Sequence, residues 1–404
     1  MTFLIAVLGL ALLVLIHEAG HFFAARLVRM NPRRFYIGFP PALVKVRRKG
    51  IEYGLGAIPL GGYVKIPGMH RPAPSDVDVH LGRALEEAPE LVAPVERVKR
   101  MLEQGKLEAA RASLPPLEAM LEHVELTPLA RRTAERGVQE LKDGLGADAY
   151  WRAPVWKRIF VIFAGPGMNL LFAIVVFAAL FMVGGGEATR TVEAVLPGRP
   201  AATAGLQPGD RIIAVDNLSV TPSEISDVID ASRGRPIAIV VERHGNLVRL
   251  GPVRPREDAG VYRLGFVLKG RSLSAPEATW RSLQLTGFVT REIGESMGRL
   301  VTGEGRKDIA SPVGIVRGSS TALKEGGQRY LWVLGLISLS LALLNLLPLL
   351  PLDGGHIAFS IIEGVRGRAV GREVYERVSA VGIALVLLLF FVGLSNDVGR
   401  LGGE

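Results

Sequence analysis

The chain has 404 residues, 49% hydrophobic and 22% charged, with a mean hydropathy of +0.30. That is too apolar for an ordinary soluble enzyme and too charged for a protein lying wholly in a bilayer, so membrane spans joined to soluble parts are expected. A net charge of +9 fits the Lys- and Arg-rich flanks of membrane helices, no basic stretch is interleaved with aromatics as a nucleic-acid groove would be, and with no cysteine any metal must be held by His, Asp or Glu.

Residues 1–28 hold an apolar run long enough to cross a bilayer. No positive residue precedes it and it outruns a signal-peptide core, which argues against a cleaved leader. Inside it lies His17-Glu18-Ala19-Gly20-His21, an H-E-x-x-H motif. On a helix His17 and His21 share a face, so both imidazoles reach one metal ion, and Glu18 stands beside them to handle the proton of an attacking water. Ionisable groups inside a span are costly and point to function. The alternatives for the two histidines are a buried polar pair or a haem or quinone site.

Residues 29–71 begin with Arg29, Arg33, Arg34, Lys45, Arg47, Arg48 and Lys49 and no acid among them, which places this side in the cytoplasm and the N-terminus outside. A β-hairpin is expected from Ile51 to Ile66, turning at Pro59-Leu60-Gly61-Gly62 and returning through Tyr63. Its edge could accept an added strand. Residues 72–156 change to Ala, Glu, Arg and Leu at helical spacing, and read as a cytoplasmic insert of short helices. A second span covers 157–184, with Gly165-Pro166-Gly167-Met168-Asn169 breaking it and Gly184-Gly185-Gly186 closing it outside. Asn169, Gly165 and Pro166 read as support for the site or as a tight helix-packing face.

Residues 189–270 form a soluble, strand-rich module, 271–329 an amphipathic connector, 330–356 a third span and 377–395 a fourth. The third span is broken by Pro348 and Pro351 and ends in Asp353-Gly354-Gly355. Irregular backbone at membrane depth is tolerated only where it is buried or faces water. Asp353 there wants a partner, and a metal held by the first span supplies one; the plainer reading is a turn or cap at the membrane surface. Of the other histidines, His70, His80, His123 and His244 lie in expected soluble segments with no partner pattern, and Asp353 is a better candidate than His356.

In combination these motifs resemble the bacterial site-2 protease family of intramembrane metalloproteases, in the form that carries a PDZ domain. The residues that carry the resemblance are His17 to His21, Gly61-Gly62-Tyr63-Val64-Lys65, Ala164 to Asn169, Ser311-Pro312-Val313-Gly314-Ile315, and Asn345 through Gly355. It covers the chain except roughly 72–150. It implies a polytopic α-helical membrane protein of about four transmembrane helices, a membrane-associated β-hairpin and one extracytoplasmic PDZ-like α/β domain at 189–270. It implies Zn2+ held by His17, His21 and Asp353, with Glu18 as catalytic carboxylate. Asn345 and the Gly61-Gly62-Tyr63 segment would hold the substrate. Ser311 stands where the family usually has glycine, a change expected to be harmless.

The function so implied is zinc-dependent hydrolysis of peptide bonds within transmembrane segments of single-span substrates, such as anti-sigma factors or remnant signal peptides. The setting is the inner (plasma) membrane, with both termini outside and the site near the cytoplasmic face. The partners are such substrates and the lipid bilayer, with no nucleic acid, and the PDZ-like module acts as a peptide binder or a size filter. The alternative is a membrane-embedded PDZ adaptor without proteolytic activity.

Overall fold

A computed structural model describes residues 1–185, 187–258, 260–301 and 311–402. Gly186 and part of the expected connector, at 302–310, lie outside the described residues. The chain divides into two compact units, Met1–Ala173 with Thr290–Glu404, and Ile174–Val289.

The first unit opens with α1 (Thr2–Leu27), 26 residues and so about 39 Å long. Leu4, Leu8, Leu12 and Phe23 are exposed along it while Ala6, Leu13 and Ala25 are buried, the inverse of a soluble helix and the mark of an apolar surround. Then come β1 (Arg34–Arg48) and β2 (Ile51–Lys65).

Here the structure corrects the hairpin expected over 51–66. The tight turn is Lys49-Gly50, both at positive φ (50° and 79°), which suits a two-residue hairpin connection. Val44 to Arg48 pair with Leu55 to Ile51 across it. Arg34–Ile37 then lies between Glu52–Leu55 and Gly62–Lys65 and pairs with both, so the two expected arms do not pair with each other. The expectation failed because β1 lies in a basic stretch that reads as a membrane flank.

Five helices follow: α2 (Pro74–Glu87), α3 (Val92–Glu103), α4 (Leu107–Ala112), α5 (Leu114–His123) and α6 (Pro128–Leu145). Apolar residues at three- and four-residue steps (Val95, Val98, Leu102; Leu114, Leu117, Leu121; Val138, Leu141, Leu145) merge into one core. The Asp76 carboxylate accepts the Ala73 N–H at 2.7 Å and so starts α2. The start of α6 is fixed by Glu87, which accepts from both Thr127 N and Oγ1 at 2.8 Å, and by Pro128 at N1.

α7 (Val155–Leu180) runs unbroken through Pro166, correcting the break expected at Gly-Pro-Gly. Pro166 has no N–H for the carbonyl of Ile162, but in an apolar helix packed by neighbours this loosens the ladder without ending it.

The second unit has its own core. Its strands are β3 (Glu187–Val195), β4 (Arg211–Val215), β5 (Leu218–Ser219), β6 (Ile237–Arg243), β7 (Asn246–Val253), β8 (Arg256–Asp258), β9 (Val261–Arg263) and β10 (Phe266–Arg271), with short α8 (Pro200–Thr203) after β3 and α9 (Glu224–Ala231) after β5. The main sheet has the order β10-β3-β4-β6-β7, every pair antiparallel, with β5 beside β4. Ile237, Ile239 and Val241 alternate inward along β6 and pack with Ile212, Val215, Ile225 and Ile229. Asp210 is 1% exposed, and both its oxygens meet Arg243, Nε and Nη2, at 2.7 Å. Burial pushes the Asp210 carboxyl up, but Arg243 and the Gln207 N–H (2.8 Å) outweigh it and hold it below its ordinary value.

α10 (Ala275–Val301) leads back to the first unit, which is completed by α11 (Pro312–Glu325), α12 (Gly327–Asn345), α13 (Asp353–Arg366) and α14 (Arg372–Gly402). Among the described residues four helices are long and apolar enough to cross a membrane: Thr2–Leu27, Val155–Gly184, Gly327–Asn345 and Glu373–Gly399. The third stops at Asn345, before either proline, and Asp353 is the first residue of the next helix rather than the end of a span.

Ser311, expected to be a harmless replacement, is built into the fold. It caps α11, and both its N–H (2.9 Å) and Oγ–H (2.6 Å) donate to Asp397 Oδ2 from α14, as does Gly314 N (3.1 Å). A glycine could not supply the hydroxyl.

Candidate metal centre

Three side chains from two distant stretches meet in the first unit. His17 Nε2 lies 3.2 Å from His21 Nε2 and 3.2 Å from Asp353 Oδ2, and His21 Nε2 lies 3.4 Å from the same oxygen. Among the described residues this is the one group of three or more His, Asp or Glu side chains whose ligand atoms converge this closely. The side chains are 12%, 8% and 17% exposed.

Local sequence explains each placement. The four-residue step on α1 stacks the two imidazoles, whose centroids are 4.9 Å apart and edge to face. The Nδ1–H of His21 donates to Val161 O on α7 at 2.9 Å. That bond fixes the tautomer with a lone pair on Nε2 facing inward.

Glycines let the helices close. A Cβ on Gly20 would stand 2.3 Å from Ala164 O, and one on Gly165 would stand 2.2 Å from His21 Nε2. Asp353 arrives through the Leu346–Leu352 turn. A Cβ on Gly354 would fall 2.2 Å from the carbonyl oxygens of Leu346 and Leu347, so only glycine lets α13 fold back against its own approach.

Glu18 is half-buried next to His17, with β2 laid across it. A Cβ on Gly62 would stand 2.9 Å from Glu18 Cγ and 2.7 Å from Tyr36 O, and the Val64 N–H faces the Glu18 carboxylate. Gly61, at φ 145°, and Tyr63, stacked on Tyr36 at 5.2 Å, flank that contact. The Tyr36 hydroxyl donates to Glu52 at 2.7 Å.

Not every expected residue joins the cluster. Asn345 ends α12 half-buried, and its side chain makes no hydrogen bond among the described residues. Asn169 is 1% exposed with both amide atoms unpartnered, while its backbone oxygen accepts from Ser338 Oγ at 2.8 Å. His356 turns away and hydrogen-bonds the Tyr375 hydroxyl. Val161 and Gly20 were missed by sequence reasoning. The first acts through its backbone, which no side-chain motif reports; the second sits inside the motif, at the position H-E-x-x-H leaves free.

The donor set fits zinc. Two nitrogens and a carboxylate oxygen at about 2.0–2.1 Å in a tetrahedron stand about 3.3 Å from one another, and the separations here are 3.2 to 3.4 Å. Asp353 Oδ2 is buried and has no partner but the two imidazoles. Three protein ligands leave a fourth position open, the pattern of a catalytic rather than a structural site.

Four apolar helices and such a donor set, with a carboxylate beside it, define a membrane-embedded metal-dependent hydrolase. The sequence profile of peptidase family M50 matches residues 5–389. The chain therefore belongs to that family, which contains the site-2 proteases, and is a zinc metalloendopeptidase of the membrane. It is 30% identical to zinc metalloprotease RasP of Geobacillus kaustophilus over 408 residues, 96% of this chain and 95% of that one. It is 29% identical to RasP of Shouchella clausii, covering 97% of each. Identity to the Enterococcus faecalis protein named "Probable protease eep" is 27%, covering 99% of each.

Proposed function

We propose that this intramembrane zinc protease hydrolyses peptide bonds within the transmembrane segments of single-span proteins or peptides, in regulated intramembrane proteolysis. Anti-sigma factors already clipped outside and remnant signal peptides are the substrate classes. The observation that carries the reading is the approach of His17 Nε2, His21 Nε2 and Asp353 Oδ2 to within 3.4 Å of one another beside Glu18. In this reading those three hold zinc. Zinc supplies Lewis acidity there, activating water and polarising the scissile carbonyl.

The protein's own groups do the rest. Glu18 takes a proton from water and returns it to the leaving amine. The His21–Val161 bond keeps one imidazole aimed. A substrate helix hides its peptide bonds in its own ladder and must be unwound, and the unwound stretch needs backbone partners in a dry place. The Gly62–Lys65 end of β2 supplies them by strand addition, with Tyr63 and Gly61 beside it. Asn345 and the unpartnered amide of Asn169 take part in holding or supporting that segment.

The Arg-rich stretch after α1 puts the site near the cytoplasmic face of the inner membrane, with both termini and the PDZ-like 189–270 module outside. That module screens substrates, by peptide binding or by excluding bulky ectodomains. An adaptor without proteolysis is not favoured, since it has no use for the converging donor set. The test is cleavage of a single-span substrate in detergent by wild type, by Glu18→Gln and in the presence of chelator. Equal cleavage in all three would sink the proposal.

A further inference from the structure

A groove of about 440 Å3 runs between the end of β2 and the helical insert. Tyr63, Val64 and Lys65 form one wall, and Asp76 and His80 of α2 with Arg136 and Glu140 of α6 form the other. Among the described residues the strand wall pairs with another strand on one edge only, by Arg34–Ile37, and its Val64 N–H is turned toward Glu18. An edge with unpaired backbone groups is a template for another strand. The strand that walls the groove is therefore also the one laid across Glu18.

The insert wall is anchored to the strand. Lys65 Nζ meets Glu140 at 2.7 Å and Asp143 at 3.1 Å, and Arg33, just before β1, meets Asp143 at 2.9 Å and Asp148 at 3.0 Å. Asp143 is 2% exposed and sits at the buried centre of this junction, with Glu140 at its exposed rim. A Cβ on Gly137 would stand 2.3 Å from His80 Cβ, so α2 and α6 are in close contact where they form the wall. The insert's ends are also tied, Tyr150 N to Pro67 O at 2.9 Å and Trp151 N to Gly68 O at 3.1 Å.

The charges lining the groove do not all cancel. Lys65 is matched by Glu140, and Asp76 is engaged at the N-terminus of α2. Arg136 is exposed on α6 and makes no ion pair among the described residues. It stands one helical turn from Glu140, the residue that holds Lys65.

We propose that the insert is a substrate-reading wall. The extended segment of the substrate on this side of the scissile bond lies along the free edge of β2, and Arg136 pairs with an acidic side chain in it. The inference rests on the strand-addition reading above and deepens it: it names the occupant, an unwound segment bearing Asp or Glu, and gives residues 72–156 a task in specificity.

Two measurements on the full-length enzyme test it. Single-span substrates carrying Glu, Ala or Lys at successive positions on this side of the cut are compared by kcat/KM. Wild type should favour Glu over Lys about fivefold at one position, the ratio an exposed ion pair supports, and Arg136→Glu should invert that order. The same ranking in both enzymes overturns the proposal. The second reads binding without turnover. In Glu18→Gln enzyme, a photoreactive residue at position 136 should cross-link uncleaved substrate, as should one at position 63. A cross-link from 63 alone overturns the wall; a cross-link from neither overturns the strand-addition reading as well. Cleavage by wild type with chelator sensitivity is scored separately, so failure of the protease reading is distinguishable.

Discussion

Gly165→Ala should disable the metal centre by adding one methyl group. In an apolar helix alanine is ordinarily the better residue by about 1 kcal/mol, so the bland expectation is a more stable α7. The structure reverses that. The new Cβ would stand 2.2 Å from His21 Nε2, 2.5 Å from Cε1 and 2.7 Å from Cδ2. Ordinary contact needs about 3.4–3.5 Å, so the imidazole must move by roughly 1.2 Å. It cannot do so and keep its 2.9 Å bond to Val161 O. Metal ligands tolerate about 0.2 Å, and disturbing even an outer-shell partner costs about 10–100-fold in affinity. Zinc affinity should therefore fall at least about 100-fold, and cleavage with it at limiting zinc. The assay is zinc competition titration of purified protein in detergent beside a cleavage time course. Gly167→Ala on the same helix is the control, since its Cβ finds only Phe163 Cε1 at 3.3 Å. Wild-type zinc affinity in folded Gly165→Ala would refute the placement of His21 as a ligand.

Three further outcomes are expected. Glu18→Gln should retain stoichiometric zinc by elemental analysis while kcat falls about 10²- to 10⁴-fold, the worth of a general base; loss of zinc instead would make Glu18 a ligand. Ser311→Ala removes the hydroxyl that donates to Asp397 at 2.6 Å while leaving the Ser311 and Gly314 N–H donors. It should lower the thermal midpoint by the equivalent of about 1–2 kcal/mol, and Ser311→Gly should do the same; an unchanged midpoint would show the hydroxyl to be idle. In the second unit, the Asp210 carboxyl titrates below its unfolded value. Its stabilisation is thus full above the ordinary carboxylate range and is lost as pH falls through the lowered value. Hydrogen exchange around residues 205–215, corrected for intrinsic rates, should lose protection as pH falls below the ordinary carboxylate range, with Asp210→Asn showing no such step.

The separate parts of the catalytic apparatus were legible in the sequence because each is local. An apolar run of membrane length, two histidines one helical turn apart and a proline-broken stretch ending in Asp-Gly-Gly are patterns within a few residues, and hydrophobic periodicity marks the insert's core the same way. The β-sheet was misread because its first strand carries the basic residues of a membrane flank and pairs with two separated segments, a long-range choice that alternation cannot encode.

What the sequence determined by itself was the range of donors: with no cysteine and an H-E-x-x-H in an apolar helix, any metal site had to be completed by His, Asp or Glu. Only the tertiary structure decided that Asp353 reaches His17 and His21, 332 residues from the nearer of the two, and that Val161 O aims one of them. It also showed that Gly20, Gly165 and Gly354 are glycines because neighbouring atoms occupy the space a side chain would need. Contacts of that kind depend on where two helices cross, and a crossing is set by close packing over the whole interface, which no short stretch of sequence contains.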